Sequence, residues 1–152
     1  MNKITPFLWF DDQAEDAARL YVSIFKNSKI VEVTPGGPNG KAMTVTFEIE
    51  GQPVIALNAG PQFKLNEAFS FFVRCMDQSE VDGLWAKLTA NGGEESQCGW
   101  LKDRYGLSWQ IIPTALLDAL GDKDPAKARR SMEAMLKMKK IDIKTLEAAR
   151  NG

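Results

Sequence analysis

The 152-residue chain contains no histidine. Histidine is the commonest general base and metal ligand in proteins, so its absence excludes every catalytic triad that is built on an imidazole. Cysteine is also scarce. Cys75 and Cys98 are the only two, which indicates a reducing compartment rather than a disulfide-bonded scaffold. We expect both to act as small apolar residues of the core.

The chain also has no excess of basic residues. The chain has 19 Lys and Arg against 20 Asp and Glu, a formal net charge of -1. Nucleic-acid binding needs a basic surface that neutralises phosphates, so we expect no nucleic-acid partner. There is no apolar run long enough for a membrane span and no apolar core of a signal peptide near the start. We therefore predict a cytoplasmic protein with no membrane partner.

The residues that are present are typical of one globular domain. A chain of 152 residues buries roughly 70% of its unfolded surface, and a hydrophobic share of 44% with a charged share of 26% is ordinary for folded proteins. We expect residues 1–152 to form a single domain.

Hydrophobic periodicity predicts a strand, a helix and three more strands in the first half. The helix follows Asp12 and ends near Asn27, and the turn Glu50-Gly51 joins the last two strands into a hairpin. The glycine-rich loop over residues 35–40 leads into a strand, so it lacks the strand-to-helix setting of a Rossmann turn. The four strands are predicted at residues 4–10, 29–34, 43–49 and 53–58.

The same order begins again after a linker at about residues 60–68. Asp12-Gln13-Ala14-Glu15 and Asp77-Gln78-Ser79-Glu80 match at three of four positions, and each lies between a strand and a helix. We infer an internal repeat in which an Asp or Ser caps each helix. The second copy is predicted as a strand at residues 69–75, a helix at 79–90 and strands at 95–97, 100–103 and 107–112.

The last part of the chain has the periodicity of helices. Asp124-Pro125 indicates a cap followed by a proline at the first helical position, and a final helix begins near Asp142. The apolar stripe that we expect on the inner side of the longer helix is Ala128, Met132, Met135 and Leu136.

Three sequence blocks carry a resemblance to a known superfamily. They are Ile4-Thr5-Pro6-Phe7-Leu8-Trp9-Phe10, the tryptophan-rich stretch from Cys98 to Pro113, and the stretch from Met135 to Ile143. With the repeated order of elements, they are similar to the vicinal oxygen chelate superfamily of glyoxalases, bleomycin-resistance proteins and extradiol dioxygenases. The branch that they resemble is the PhnB-like group, which also carries the label 3-demethylubiquinone-9 3-methyltransferase.

The resemblance implies an α+β fold. Two βαβββ modules, at about residues 1–60 and 68–113, would each curl a mixed sheet around a central cavity, and C-terminal helices would follow over residues 114–152. It also implies a homodimer.

In metal-dependent members of the superfamily, four ligands face that cavity. The resemblance places Thr5, Asn58, Ser70 and Gln110 at the matching positions. All four side chains are neutral, and such a set binds a divalent ion weakly because no charge offsets the dehydration of the ion. We therefore predict a protein without a metal and without a cofactor, S-adenosylmethionine included.

Strand alternation extends this surface to neighbouring side chains, among them Ser108 and Ile112. Arg74 is expected to pair either with an anionic group of a ligand or with an acidic residue of the protein surface. Trp9 is either a stacking platform or a core residue. The candidates for the lining of the pocket are Thr5, Phe7, Trp9, Asn58, Ser70, Phe72, Arg74, Trp100 and Gln110.

Several functions stay open. We favour a metal-free protein that binds a small, partly aromatic molecule, as drug-sequestering bleomycin-resistance proteins do, because no residue pair offers an acid, a base or a nucleophile. The alternative is a metal-independent isomerase or lyase that acts on a small oxygenated or aromatic metabolite through Arg74, Asp103 or Cys98. Of these, we expect Asp103 to form a turn rather than to act as a base. A structural dimer with a filled cavity is a third reading, and a methyltransferase is the least favoured.

Overall fold

A computed structural model describes residues 2–152 of the chain. The chain divides into two compact units, with the boundary between Leu65 and Asn66. Each unit contains one four-stranded sheet. Among the described residues, no helix has the length and apolar character that crossing a bilayer requires.

The first unit is one βαβββ module. Its sheet has the strand order β1-β4-β3-β2, in which β1 is parallel to β4 and the other neighbours are antiparallel. A single 3-10 turn, Pro38–Gly40, lies in the loop before β3. The elements in chain order are β1 (Phe7–Phe10), α1 (Ala14–Ile24), β2 (Lys29–Thr34), β3 (Thr44–Ile49) and β4 (Gln52–Asn58).

The second unit repeats this arrangement. Its strand order is β5-β8-β7-β6, and β5 is parallel to β8 as β1 is to β4. The internal repeat and the α+β class with two βαβββ modules are therefore confirmed. The elements are β5 (Ser70–Cys75), α2 (Gln78–Thr89), β6 (Glu94–Glu95), β7 (Trp100–Lys102) and β8 (Ser108–Pro113).

Each helix covers one face of its own sheet, because the strands alternate between buried and less buried side chains. In the first unit the helix-side residues Val45, Phe47 and Val54 are fully buried. In the second unit Trp109 and Ile111 are buried in the same way, and α2 packs on β8. We call the opposite face of each sheet the first open face and the second open face.

The two helices begin differently. Asp77 caps α2, because its carboxylate accepts a hydrogen bond from the Glu80 amide at 2.9 Å. The equivalent prediction for α1 is wrong. Gln13 stands at the N-cap of α1 without a side-chain hydrogen bond, and the Asn58 side chain from β4 accepts from the Ala14 amide instead, at 2.8 Å.

Three helices follow β8: α3 (Thr114–Leu120), α4 (Pro125–Leu136) and α5 (Ile143–Asn151). The predicted inner stripe of α4 is partly wrong, because Met132 is 48% and Leu136 58% exposed. Ser131 is fully buried in their place. α4 contacts α3 and α5, and Ser131 lies on its packed side, whereas Met135 packs against the apolar cluster only partly buried. The apolar cluster that the helices form consists of Ile112, Leu116, Ala119, Met138, Ile141 and Leu146.

Candidate functional site

The second open face brings together most of the predicted pocket residues of the second unit. In the register of β5, β8 and β7, Gln110 has Phe72 as its neighbour on one side and Trp100 on the other. Alternation along β5 puts Ser70 and Arg74 on the face that carries Phe72. Phe72 is 49% exposed, and Trp100 is half-buried. The face therefore offers aromatic surface to a ligand.

The hydrogen-bonding groups at the centre of this face are neutral. The Gln110 side-chain amide donates to the Ser70 hydroxyl at 3.0 Å. Ser108 lies on the same face opposite Ser70. Its buried hydroxyl has no hydrogen-bond partner among the described residues. Amide and hydroxyl groups of this kind orient a small molecule without contributing charge.

Two cations lie on the second open face, and they differ in their surroundings. The Lys102 ammonium forms an ion pair with Glu67 at 2.7 Å. The hydrogen bond between them raises the pKa of Lys102 and lowers the pKa of Glu67. Arg74 is exposed and forms no ion pair with the residues of the described chain. Its guanidinium is therefore available to an anion.

The first open face carries the other aromatic candidates. Phe7 is 56% exposed. The Trp9 indole donates to the Gly60 carbonyl at 2.9 Å, and its ring meets Phe63 edge-on with centroids 4.9 Å apart. Trp9 is thus held in place by its own unit and still half-buried. Thr5, also half-buried, precedes β1.

Asn58 lies on the other face of the first sheet. Trp9 pairs with Leu57, whereas Asn58 pairs with the buried Phe10. The Asn58 side chain is 2% exposed. Besides accepting from Ala14, it donates to the Ala42 carbonyl at 3.0 Å. The structure therefore does not bring Asn58 together with Trp9, and a shift of one residue along β4 accounts for the difference from the prediction.

Asp103 and Cys98, which were candidates for catalysis, and the second cysteine, Cys75, all have surroundings that are typical of structural residues. Asp103 is 3% exposed, and its carboxylate accepts from the Tyr105 and Leu107 amides and from the Trp109 indole, the last at 2.9 Å. This is the bonding of a turn residue. Cys75 is fully buried, and burial raises the pKa of its thiol to about 12. Cys98 is half-buried in a turn with φ of 58°.

The side chains present do not suit a divalent metal. Within residues 2–152, no three His, Cys, Asp or Glu side chains form a group that could hold one. Of the four ligand positions that the resemblance gives, Asn58 lies on the helix side of the first sheet, where its side-chain amide is hydrogen-bonded to the backbone of Ala14 and Ala42. The other three, Thr5, Ser70 and Gln110, contribute hydroxyl and amide groups only, which bind such ions weakly.

Two βαβββ modules with the same mixed strand order define a protein of the vicinal oxygen chelate superfamily, the class of glyoxalases and bleomycin-resistance proteins. Within it, residues 2–112 match the family model described as 3-demethylubiquinone-9 3-methyltransferase. The chain belongs to this family. The description is a family name, and no curated protein matches the chain.

Solved structures agree with this assignment. A PhnB protein from Bacillus cereus, described as a putative 3-demethylubiquinone-9 3-methyltransferase, is 31% identical with a TM-score of 0.68, over 74% of this chain and 99% of that chain. Protein PA1353 from Pseudomonas aeruginosa is 17% identical with a TM-score of 0.62, over 74% and 98%. The fosfomycin resistance protein FosX from Listeria monocytogenes is 16% identical with a TM-score of 0.52, over 74% and 93%. The last two show a shared fold only.

Proposed function

We propose that the protein binds a small anionic molecule with an aromatic part on the second open face, without a metal. The observation that supports this most directly is Arg74, a cation with no ion pair in the described chain, on the same face as Phe72 and Trp100. A guanidinium pairs with a carboxylate through two parallel hydrogen bonds. The neighbouring rings supply apolar contact area for the rest of the ligand.

Binding without turnover fits this face better than an isomerase or lyase does. General acid-base catalysis needs a group that can exchange a proton with the substrate. Asp103 is buried with its carboxylate hydrogen-bonded in a turn. Cys98 lies half-buried in the turn before β7, and its backbone amide is bonded to the Met138 carbonyl. An isomerase or lyase would instead be recognised by product that forms in the presence of chelators.

The other two alternatives have less support. A methyltransferase that follows the family name needs a site for its methyl donor, and the glycine-rich loop before β3 lies between two strands, which is not the setting of a cofactor turn. A structural dimer with a filled cavity would bind no small molecule. The homodimer and the cytoplasmic location, which come from the resemblance and from composition, are part of the same proposal.

Isothermal titration with 2-naphthoate, an aromatic carboxylate, tests the proposal. We expect Arg74→Gln to weaken binding by about 10- to 100-fold, because hydrogen bonds to charged groups contribute about 1.5–3 kcal/mol. Phe72→Ala should also weaken binding through lost ring contact. Met76→Ala serves as a matched control, because Met76 is an apolar side chain 77% exposed outside the sheet.

Equal affinity of Arg74→Gln and the unchanged protein would remove Arg74 from the site. If no variant and no unchanged protein bound the probe, the binding function itself would be contradicted.

A further inference from the structure

The second open face ends beside Arg74. Ile112 is the β8 neighbour of Arg74 in the parallel register, and alternation places both side chains on this face. Arg74 is exposed, whereas Ile112 is 4% exposed because it belongs to the cluster that the C-terminal helices form with Met138 and Ile141. The C-terminal part of the chain therefore covers the second open face next to Arg74, at Ile112.

The covering segment, Met138–Ile141, is held to the sheet by its backbone. The Cys98 and Gly99 amides donate to the Met138 and Lys139 carbonyls, both at 2.8 Å. We call this segment the tail wall. Gly99 has a φ of 85°, and a Cβ at this position would lie 2.7 Å from Ile112 Cδ1 and 3.2 Å from Ile141 Cγ1. The wall thus packs directly against the end of the face.

A second set of contacts holds the tail wall from the side of α2. The Gln78 side-chain amide donates to the Ile141 carbonyl at 3.0 Å, and its oxygen accepts from the Ile143 amide at 2.8 Å. Lys140 forms an ion pair with Asp82 at 2.8 Å. Hydrogen bonds from the turn before β7 and from α2 therefore fix the position of the wall.

The tail wall lies outside the residues that the family model matches. The family match ends at residue 112, before the three C-terminal helices. The match to the Bacillus cereus protein covers 99% of that chain and 74% of this one.

We propose that the tail wall limits the second open face to ligands whose anionic group is terminal. A carboxylate that pairs with Arg74 has the wall beside it, so a molecule that continues beyond its anionic group meets Ile112 and the wall. An aryl carboxylate fits, whereas a diester with the same charge and a group on each side of the phosphate does not. This inference rests on the proposed binding function and gives it a substrate class.

The test compares two probes of equal charge, 2-naphthoate and methyl 2-naphthyl phosphate. The unchanged protein should prefer the carboxylate by about tenfold, a discrimination typical of a close steric fit. Gln78→Ala removes both hydrogen bonds to the tail without touching the face, and Ile141→Ala removes side-chain volume from the wall. In both variants the preference should fall, mainly through tighter binding of the diester.

Gln52→Ala is the control, because Gln52 is exposed in the first unit and bonds only to the neighbouring Pro53 carbonyl. Circular dichroism melting shows whether each variant is folded, and the two wall variants act through different contacts. Equal binding of both probes to the unchanged protein would overturn the role of the wall and leave the binding function standing. A preference for the carboxylate that persists in both Gln78→Ala and Ile141→Ala would overturn the role of the wall in the same way. Loss of all binding would instead contradict the proposed function.

Discussion

Asn58 illustrates how a polar residue predicted for a pocket serves the fold instead. Its oxygen accepts from the first amide of α1, and its nitrogen donates to the Ala42 carbonyl. This replaces the N-cap that the repeated Asp-Gln motif predicts at Asp12, whose carboxylate pairs with Lys41 at 3.2 Å. The sequence could not predict that Asn58 takes the place of the N-cap, because Asn58 lies 44 residues from its partner Ala14 and no local pattern links them.

Replacing Asn58 tests this structural role. Asn58→Ala leaves a buried amide and a buried carbonyl without partners, and each such loss costs about 1–3 kcal/mol. We expect the free energy of unfolding, measured with urea, to fall by about 2–4 kcal/mol. Asn66→Ala is the matched control, since the Asn66 side chain accepts only from the nearby Ala68 amide at an exposed site. An unchanged unfolding midpoint for Asn58→Ala would contradict the buried placement.

The face on which the β5 side chains lie can be predicted from the sequence, unlike the role of Asn58. The two-residue period of a strand is sufficient to put Ser70, Phe72 and Arg74 on one face, and the structure has them there, in register with β8. The sequence could not decide whether Arg74 has an acidic neighbour, because that depends on side chains distant in the chain. The free guanidinium of Arg74 comes from the structure alone.

At the scale of elements, periodicity predicts helices in the last part of the chain, where α4 and α5 lie, but misjudges the inner side of α4. The apolar pattern favoured Met132 and Leu136, yet the packed side uses Ser131. The contacts of α4 with α3 and α5 decide which side is packed, and sequence periodicity does not contain them.

Two neighbouring arginines of α4 allow a matched test of how the helices hold together. Arg130 donates to the Ala149 and Arg150 carbonyls at 3.0 and 2.8 Å, which satisfies the C-terminal end of α5. Arg129 is exposed and has no ion pair in the described chain. We expect Arg130→Ala to lower the free energy of unfolding by about 1.5–3 kcal/mol and Arg129→Ala by less than about 0.5 kcal/mol.

Hydrogen exchange adds a local measurement to this comparison, since the amides of α5 should exchange faster in Arg130→Ala than in Arg129→Ala. Equal urea midpoints and equal exchange in the two variants would show that the contacts of Arg130 do not hold α5.

At the scale of the whole molecule, the sequence predicts a repeated module followed by helices. The family match, over residues 2–112, likewise ends where the second module ends. The order of elements within each module follows from local periodicity. What the helices cover does not, because the contacts of Ile112 with Met138 and Ile141 join residues far apart in the chain. The position of the tail wall beside Ile112 therefore follows from the folded structure and not from local periodicity.

The four tryptophans provide the most direct test of binding on the second open face. Trp85 and Trp109 donate their indole N–H groups to Glu95 and Asp103, at 2.8 and 2.9 Å, and both are buried. They serve as internal controls. Trp100 lies on the second open face beside Gln110, so a ligand there should change the surroundings of its indole.

The measurement is a ¹H–¹⁵N spectrum of the protein labelled at its tryptophan indoles, recorded during titration with 2-naphthoate. We predict a saturable shift of the Trp100 resonance that is lost in Arg74→Gln, with the Trp85 and Trp109 resonances unmoved. No saturable shift at Trp100, or an equal shift in Arg74→Gln, would contradict the assignment of this face as the binding site.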